Sequence, residues 1–186
     1  MRLTVTVAPD PVVTWADADA HLKLSGDTSQ QAEVEGMVAA ATATIDGPDG
    51  WLGRSLGVQT IEARVDCFDP DGIKLPLSPL REIVSVKYLD PDNVEQTLAA
   101  DRYELIGRHL VPVYRGSWPA TLARREAVRV TYRAGYDTVP TPIKAAILLM
   151  VGDLYRFRET AMMVTGMKVP MSTTVENLLN PLRLYA

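Results

Sequence analysis

The sequence predicts an α+β fold, on three observations. Apolar residues recur at helical spacing toward both ends of the chain. They alternate with a period of two through its middle. The order is therefore helices, then strands, then helices, which favours segregated α+β packing over alternating α/β units. The middle block, about Val58 to Tyr132, meets a turn signal at close intervals, so its sheet is expected to be mainly antiparallel. At 186 residues the chain is one domain, or a core with a modest insertion.

Taken in order, Val5 to Val7 read as a short strand or extended arm, closed by Pro9 and Pro11. Thr14 opens a first helix, and Thr14 with Asp17 resembles a capping box with an acidic residue in place of the usual Glu or Gln. Ala18 and Leu22 share its face, and Ser25-Gly26 stops it. Thr28 with Gln31 fits a second capping box. Behind it, Val34, Met37, Val38, Ala41 and Ile45 form an apolar stripe at spacings of three and four. The alanines from Ala39 to Ala43 permit close approach of another helix, and Gly47-Pro48-Asp49-Gly50 ends the segment.

The period then changes to two. In Gln59–Phe68, Ile61, Ala63, Val65 and Cys67 alternate with Glu62, Arg64 and Asp66, which reads as a half-buried strand. Asp69-Pro70-Asp71-Gly72 is a turn. Ile73–Leu75 is a short strand, and Ile83–Leu89 is another with Val84, Val86 and Tyr88 on one face. Asp90-Pro91-Asp92-Asn93 turns back toward Val94–Leu98. Tyr103–Ile106 and His109–Val113 form a hairpin around Gly107-Arg108. Val128, Val130 and Tyr132 alternate with Arg129, Thr131 and Arg133 in a last strand.

Val139–Glu159 holds the longest apolar run, Ala145 to Val151. Thr141 is the expected N-cap, with Pro142 at the first helical position where its missing N–H costs nothing. Ile143, Ile147, Met150 or Val151, and Leu154 line one side. Ala145, Leu148, Leu149 and Gly152 cover much of the other. A helix apolar on most of its circumference should be buried on most of it. The run is too short for a membrane span, which needs roughly 20 residues. Beyond Glu159 the periodicity decays. Ser172 or Thr173 can cap a short helix through Leu179, ahead of Pro181.

Composition removes several classes of function. The formal charge is −4, which argues against a protein that coats nucleic acid. One cysteine, Cys67, permits no internal disulfide and no cysteine metal cluster, as in a reducing compartment. The segment MRLTVTVAPDP has neither the apolar stretch nor the small-residue site of a signal peptide.

Specific chemistry is equally thin. Gly53-Arg54-Ser55-Leu56-Gly57 matches G-x-S-x-G, but a nucleophile elbow needs a strand before the serine and a helix after it. Here a helix precedes and a strand follows, so a glycine-punctuated turn is expected. A small hydrolase using Ser55 or His109 is the competing class. His21 and His109 have no second ligand type at metal-site spacing. Cys67 is expected on the inward face of its strand, as core. Arg124, Arg125, Arg129 and Arg133 are the one basic concentration, interrupted by Glu126 and lacking an aromatic platform. They read as a solvated or intersubunit ion-pair face, and a DNA-binding regulator is disfavoured. Met162, Met163, Met167 and Met171 suit a deformable contact surface or an anchored loop.

The pattern as a whole resembles the head–tail connector (adaptor) proteins of tailed phages, a group that includes the phage phiE125 gp8-like and HK97 gp6-like proteins and has related copies in gene transfer agents. The matching pieces are the helices Trp15–Leu24 and Gln30–Ile45, then Gly53-Arg54-Ser55-Leu56 with Gln59-Thr60. Ile73-Lys74-Leu75-Pro76 with Pro79 and Val84-Ser85-Val86-Lys87-Tyr88 follow. Val130 to Tyr136, Val139-Pro140, and Pro142 to Ile147 running on to Tyr155 and Arg158-Glu159 complete the series, with Leu178-Leu179-Asn180-Pro181-Leu182-Arg183 at its end. Gly47-Pro48-Asp49-Gly50 departs from the pattern, which would carry the second helix further.

The resemblance implies a single connector domain over residues 1–186. Residues 1–50 and 139–159 would form a helical core, 57–133 an inserted β block, and 160–186 a tail. It implies a structural protein without catalysis or cofactor, in a virion or phage-like particle assembled in bacterial cytoplasm. Such subunits form a ring, commonly a dodecamer, beneath the portal protein. They meet stopper or tail-terminator proteins on the tail side and let DNA pass through the channel without specific binding. No membrane is involved. The expected ring contacts are Ala39, Ala43, Arg129, Arg133, Arg156 and Arg158. The expected portal-docking residues are Leu178, Leu179, Pro181, Leu182, Arg183 and Tyr185. The lost periodicity of Thr160–Ala186 adds the expectation that this tail orders on docking.

Overall fold

The computed structural model describes residues 1–157 and 171–184. The fold is α+β, as the periodicities require, with α-helices and wholly antiparallel sheets among the described residues. The chain divides into two compact units. Met1–Asp10 with Arg54–Asp137 make a β unit, and Pro11–Gly53 with Thr138–Ala186 make a helical unit.

In the β unit, β1 (Arg2–Val7), β2 (Gln59–Val65), β8 (Val128–Ala134), β4 (Leu80–Leu89) and β5 (Glu95–Leu98) form a five-stranded sheet in that spatial order. A three-stranded sheet takes β3 (Ile73–Lys74), β7 (His109–Pro112) and β6 (Tyr103–Ile106) in that order. β6 and β7 are joined by the expected two-residue turn Gly107-Arg108. The arm at Val5–Val7 is thus the end of a sheet strand, with Val5 opposite Ile61. β8 lies at the centre, and its alternation is the cleanest in the chain: Val128, Val130, Tyr132 and Ala134 are all buried. They meet Ile61 and Ala63 of β2, Val86 of β4, and Ile73, Leu75 and Leu110 on the smaller sheet's side. Trp118 stacks on Phe68 at 4.6 Å between ring centres and donates its indole N–H to the Asp69 carbonyl at 2.9 Å.

Two sequence expectations fail in this unit. Val84, placed on one face with Val86 and Tyr88 by simple alternation, is 54% exposed while Val86 is buried. The β4–β8 register slips between Leu80 and Glu82 and again between Ile83 and Ser85. Each slip is a bulge, which adds one residue to one strand and resets its faces. The inward set of β4 is therefore Leu80, Ile83, Val86 and Tyr88. Cys67 is exposed, because β2 ends at Val65 and the chain bends before reaching it.

The helical unit contains α1 (Trp15–Leu22), α2 (Gln31–Ile45), α3 (Thr141–Arg156) and α4 (Thr173–Leu179). The Thr14/Asp17 capping box is present in both directions. The Thr14 backbone N–H and hydroxyl both donate to the Asp17 carboxylate and hold it below the usual carboxylate range. The second box is not formed. Asp27 caps a short 3₁₀ turn at Thr28–Gln30 by accepting from the Ser29 N–H, α2 begins at Gln31, and the Gln31 side chain instead donates to Glu35 at 2.8 Å. Thr141 is not the N-cap but lies inside α3, whose first bonds run to the Pro140 carbonyl. α2 buries Val34, Val38, Ala41 and Ile45, and Met37 is only half-buried. α3 buries Ile143, Ala146, Ile147 and Val151, while Ala145, Leu148, Leu149 and Gly152 are half-buried and Leu154 is exposed. The helix is thus fully buried along one stripe and partly covered over much of the rest, with Asp153, Leu154 and Arg156 exposed toward its C-terminal end.

Candidate functional site

The one catalytic motif in the sequence folds as a structural turn. Ser55 is fully buried, and its hydroxyl lies 3.3 Å from the Gly57 carbonyl and 3.4 Å from that of Ala134, either of which takes its proton. The same oxygen accepts from the side-chain N–H of Gln59, itself 3% exposed. Tyr136 donates its backbone N–H to the Leu56 carbonyl at 3.1 Å, stitching the turn to the end of β8. Gly135, at φ 124°, allows the close approach, since a side chain there would collide with the Gly57 backbone. His109 is committed to the other sheet, opposite Lys74 and Ile106. Ser55 is thus enclosed in the β unit, its hydroxyl engaged by Gly57, Ala134 and Gln59.

An open cleft of about 440 Å³ lies in the β unit, lined by Met1, Cys67, Phe68, Asp69 and Lys74 among others. Among the described residues no group of three His, Cys, Asp or Glu side chains could hold a metal ion. No described helix is long and apolar enough to cross a membrane.

The remaining candidates are surfaces. The polar face of the five-stranded sheet carries a row of cations in register across four strands: Arg2, Arg64, Arg129 and Lys87. Like charges directly opposite would destabilise the pairing, and three carboxylates interleave to prevent it. Glu126 takes Arg2 and Arg64, Glu62 also takes Arg64, and Glu95 takes both Lys87 and Arg129. The bonds to Glu62 and Glu126 raise the Arg64 guanidinium further above its usual range. Arg133 pairs with Glu82 at 3.0 Å. The strand arginines are thus internally neutralised, and sequence reading missed the pattern because Glu82 and Glu95 reach them only through strand pairing.

The other expected ring residues belong to the helical unit. Ala39, Ala43 and Arg156 are all exposed. Arg158 lies outside the described residues, as do Glu159 and the methionines Met162, Met163 and Met167.

Of the expected docking residues, Leu179 is fully buried, because α4 packs on α3 and turns Val175 and Leu179 inward. Ser172, and not Thr173, is the cap of α4, its hydroxyl accepting from the Val175 N–H. Leu178 and Leu182 are half-buried and Pro181 is exposed. Arg183 lies over the Trp51 ring at 4.3 Å, and Leu184 donates its N–H to the Leu52 carbonyl at 3.0 Å. Residues 173–184 are therefore seated on their own helical unit. Tyr185 lies outside the described residues.

No protein-family model matches the chain, and no curated protein matches it. Solved structures do share its fold. One chain from the neck of an empty gene transfer agent particle, solved with C6 symmetry, superposes with a TM-score of 0.74 at 19% identity, covering 100% of this chain and 97% of that one. A chain from the virion of a native gene transfer agent particle gives 0.76 at 19% identity with the same coverage. A third, from a native particle neck solved with C12 symmetry, gives 0.66 at 16% identity, again over 100% and 97%.

Proposed function

We propose that this chain is a structural subunit of the neck of a phage-like particle: a head–tail connector that forms a ring, commonly of twelve copies, beneath the portal protein. The observation that carries this reading is the shared fold with neck chains, over 100% of this chain and 97% of theirs. The buried, hydrogen-bonded Ser55 is consistent with a role that involves no catalysis. In this reading the chain is one connector domain, with residues 57–133 inserted into a helical core. The ring extends the DNA channel and meets stopper or tail-terminator proteins on its far side. The acidic balance and the internally neutralised arginines suit a wall that DNA slides past, since free cations would bind phosphates tightly.

The test is deletion of the gene in the producing host, followed by electron microscopy of the particles. DNA-filled heads without tails, rescued by the gene in trans, are expected. Fully tailed particles assembled without this chain would remove the proposal.

A further inference from the structure

The strand β1 is joined to its sheet only by way of the other unit. Met1–Asp10 lies in the β unit, Pro11–Gly53 belongs to the helical unit, and the chain rejoins the β unit at Arg54. The neighbour of β1 is β2, with Thr4 opposite Glu62 and Val5 opposite Ile61. β1 is therefore held by distant partners and not by residues that follow it in sequence. The hold is thin. β1 is an edge strand, exposed at every residue except Leu3. Beyond the backbone ladder to β2, Arg2 pairs with Glu126 at 3.2 Å and the Thr6 hydroxyl donates to the Thr60 carbonyl at 3.2 Å. Exposed contacts of this kind contribute little to stability.

The chain is fixed on both sides of the crossing between units. Pro9 and Asp10 lie against Gly57, where an added side chain would sit 2.6 Å from Pro9. Val12 and Val13, the first apolar residues of the helical unit, are buried. The crossing is thus confined to Asp10-Pro11. Pro9 and Pro11 fix their own φ and bias Ala8 and Asp10 toward extended backbone, so the crossing holds no flexible turn. A short, stiff hinge beside a lightly held element favours exchange of that element between copies.

We infer that β1 is traded between copies: Met1–Asp10 of one copy lies beside β2 of the next, with Asp10-Pro11 as the hinge. Strand and slot are the same in every copy, so the register with β2, the Arg2–Glu126 pair and the seat on Gly57 are all kept. Passed in one direction around a closed ring, the strand links each copy to the next without requiring a new surface. The inference rests on the ring reading above for the neighbouring copy, and it names the segment that joins neighbours.

The test uses full-length chains carrying Cys67→Ser, so that only introduced cysteines are present. Thr4→Cys and Glu62→Cys are placed in one chain, where residues directly opposite in an antiparallel pair have Cα atoms about 4.5–5.5 Å apart, within disulfide reach. On mild oxidation, exchange should give a series of disulfide-linked multimers in non-reducing gels. Internally bridged monomers alone would overturn the inference. A second variant, with wild-type strands, carries a flexible Gly/Ser insertion after Asp10 that lets β1 close on its own sheet. Its association constant in sedimentation should fall roughly tenfold or more below that of the wild-type chain. Association at wild-type strength would also overturn the inference. Oxidised particles from the producing host separate the two proposals. Necks that contain the cysteine chain with internal bridges only would remove the exchange and leave the neck reading standing. Absence of the chain from particles would remove the neck reading itself.

Discussion

Replacing Ser55 by alanine separates a structural serine from a catalytic one. The Ser55 hydroxyl is fully buried and is the acceptor for the Gln59 side-chain N–H. Its own donor bonds, at 3.3 and 3.4 Å, are near the outer limit of hydrogen-bond distance and contribute little. The main loss in Ser55→Ala is therefore the orphaned amide of Gln59. An unsatisfied buried donor costs about 1–3 kcal/mol, so about 2 kcal/mol is expected. For a chain of this length that corresponds to a fall in Tm of about 4–8 °C, readable by calorimetry or circular dichroism. Adding Gln59→Met removes the orphan, and the double variant should regain about 1 kcal/mol. An unchanged Tm for Ser55→Ala, or a double variant less stable than the single one, would refute this account. A hydrolytic activity abolished by Ser55→Ala with Tm unchanged would restore the nucleophile.

Two further outcomes follow from the cores. Tyr132 donates its hydroxyl to the Pro76 carbonyl at 3.1 Å, and burial pushes its phenol well above the ordinary tyrosine range. A raised pKa in the folded state means the stabilisation is present below the unfolded phenol's pKa of about 10 and is lost above it, at up to about 1.4 kcal/mol per pH unit. Tyr132→Phe should cost about 1 kcal/mol at neutral pH and flatten that alkaline loss in urea titrations at several pH values. Leu179→Ala should destabilise the helical unit by about 2–5 kcal/mol, because the side chain is fully buried, and should raise hydrogen exchange in α4. An effect below about 0.5 kcal/mol would mean that α4 is not seated on its own subunit in solution.

The features legible in the chain before folding are those that neighbouring residues settle between themselves. The Thr14/Asp17 box, the Gly107-Arg108 hairpin, a cap at Ser172 or Thr173 (the fold uses Ser172) and the buried alternation of Val128, Val130 and Tyr132 all depend on residues within a few positions of each other. Cap chemistry, turn chemistry and a period of two act at that range. The α+β class follows, since it needs only the order of those periods.

Distant partners set the rest. Val84 points outward because β4 bulges against β8, a strand more than forty positions away in sequence, and a one-residue slip exchanges the faces of a strand. Cys67 is exposed because β2 ends two residues before it. Arg129 is neutralised by Glu95, which strand pairing alone brings near. Leu179 is core because α4 has α3 to pack on, and Leu154 is exposed because the same core ends short of it. Periodicity states which residues share a face. Only the packed fold states how much of that face a subunit can cover with its own atoms.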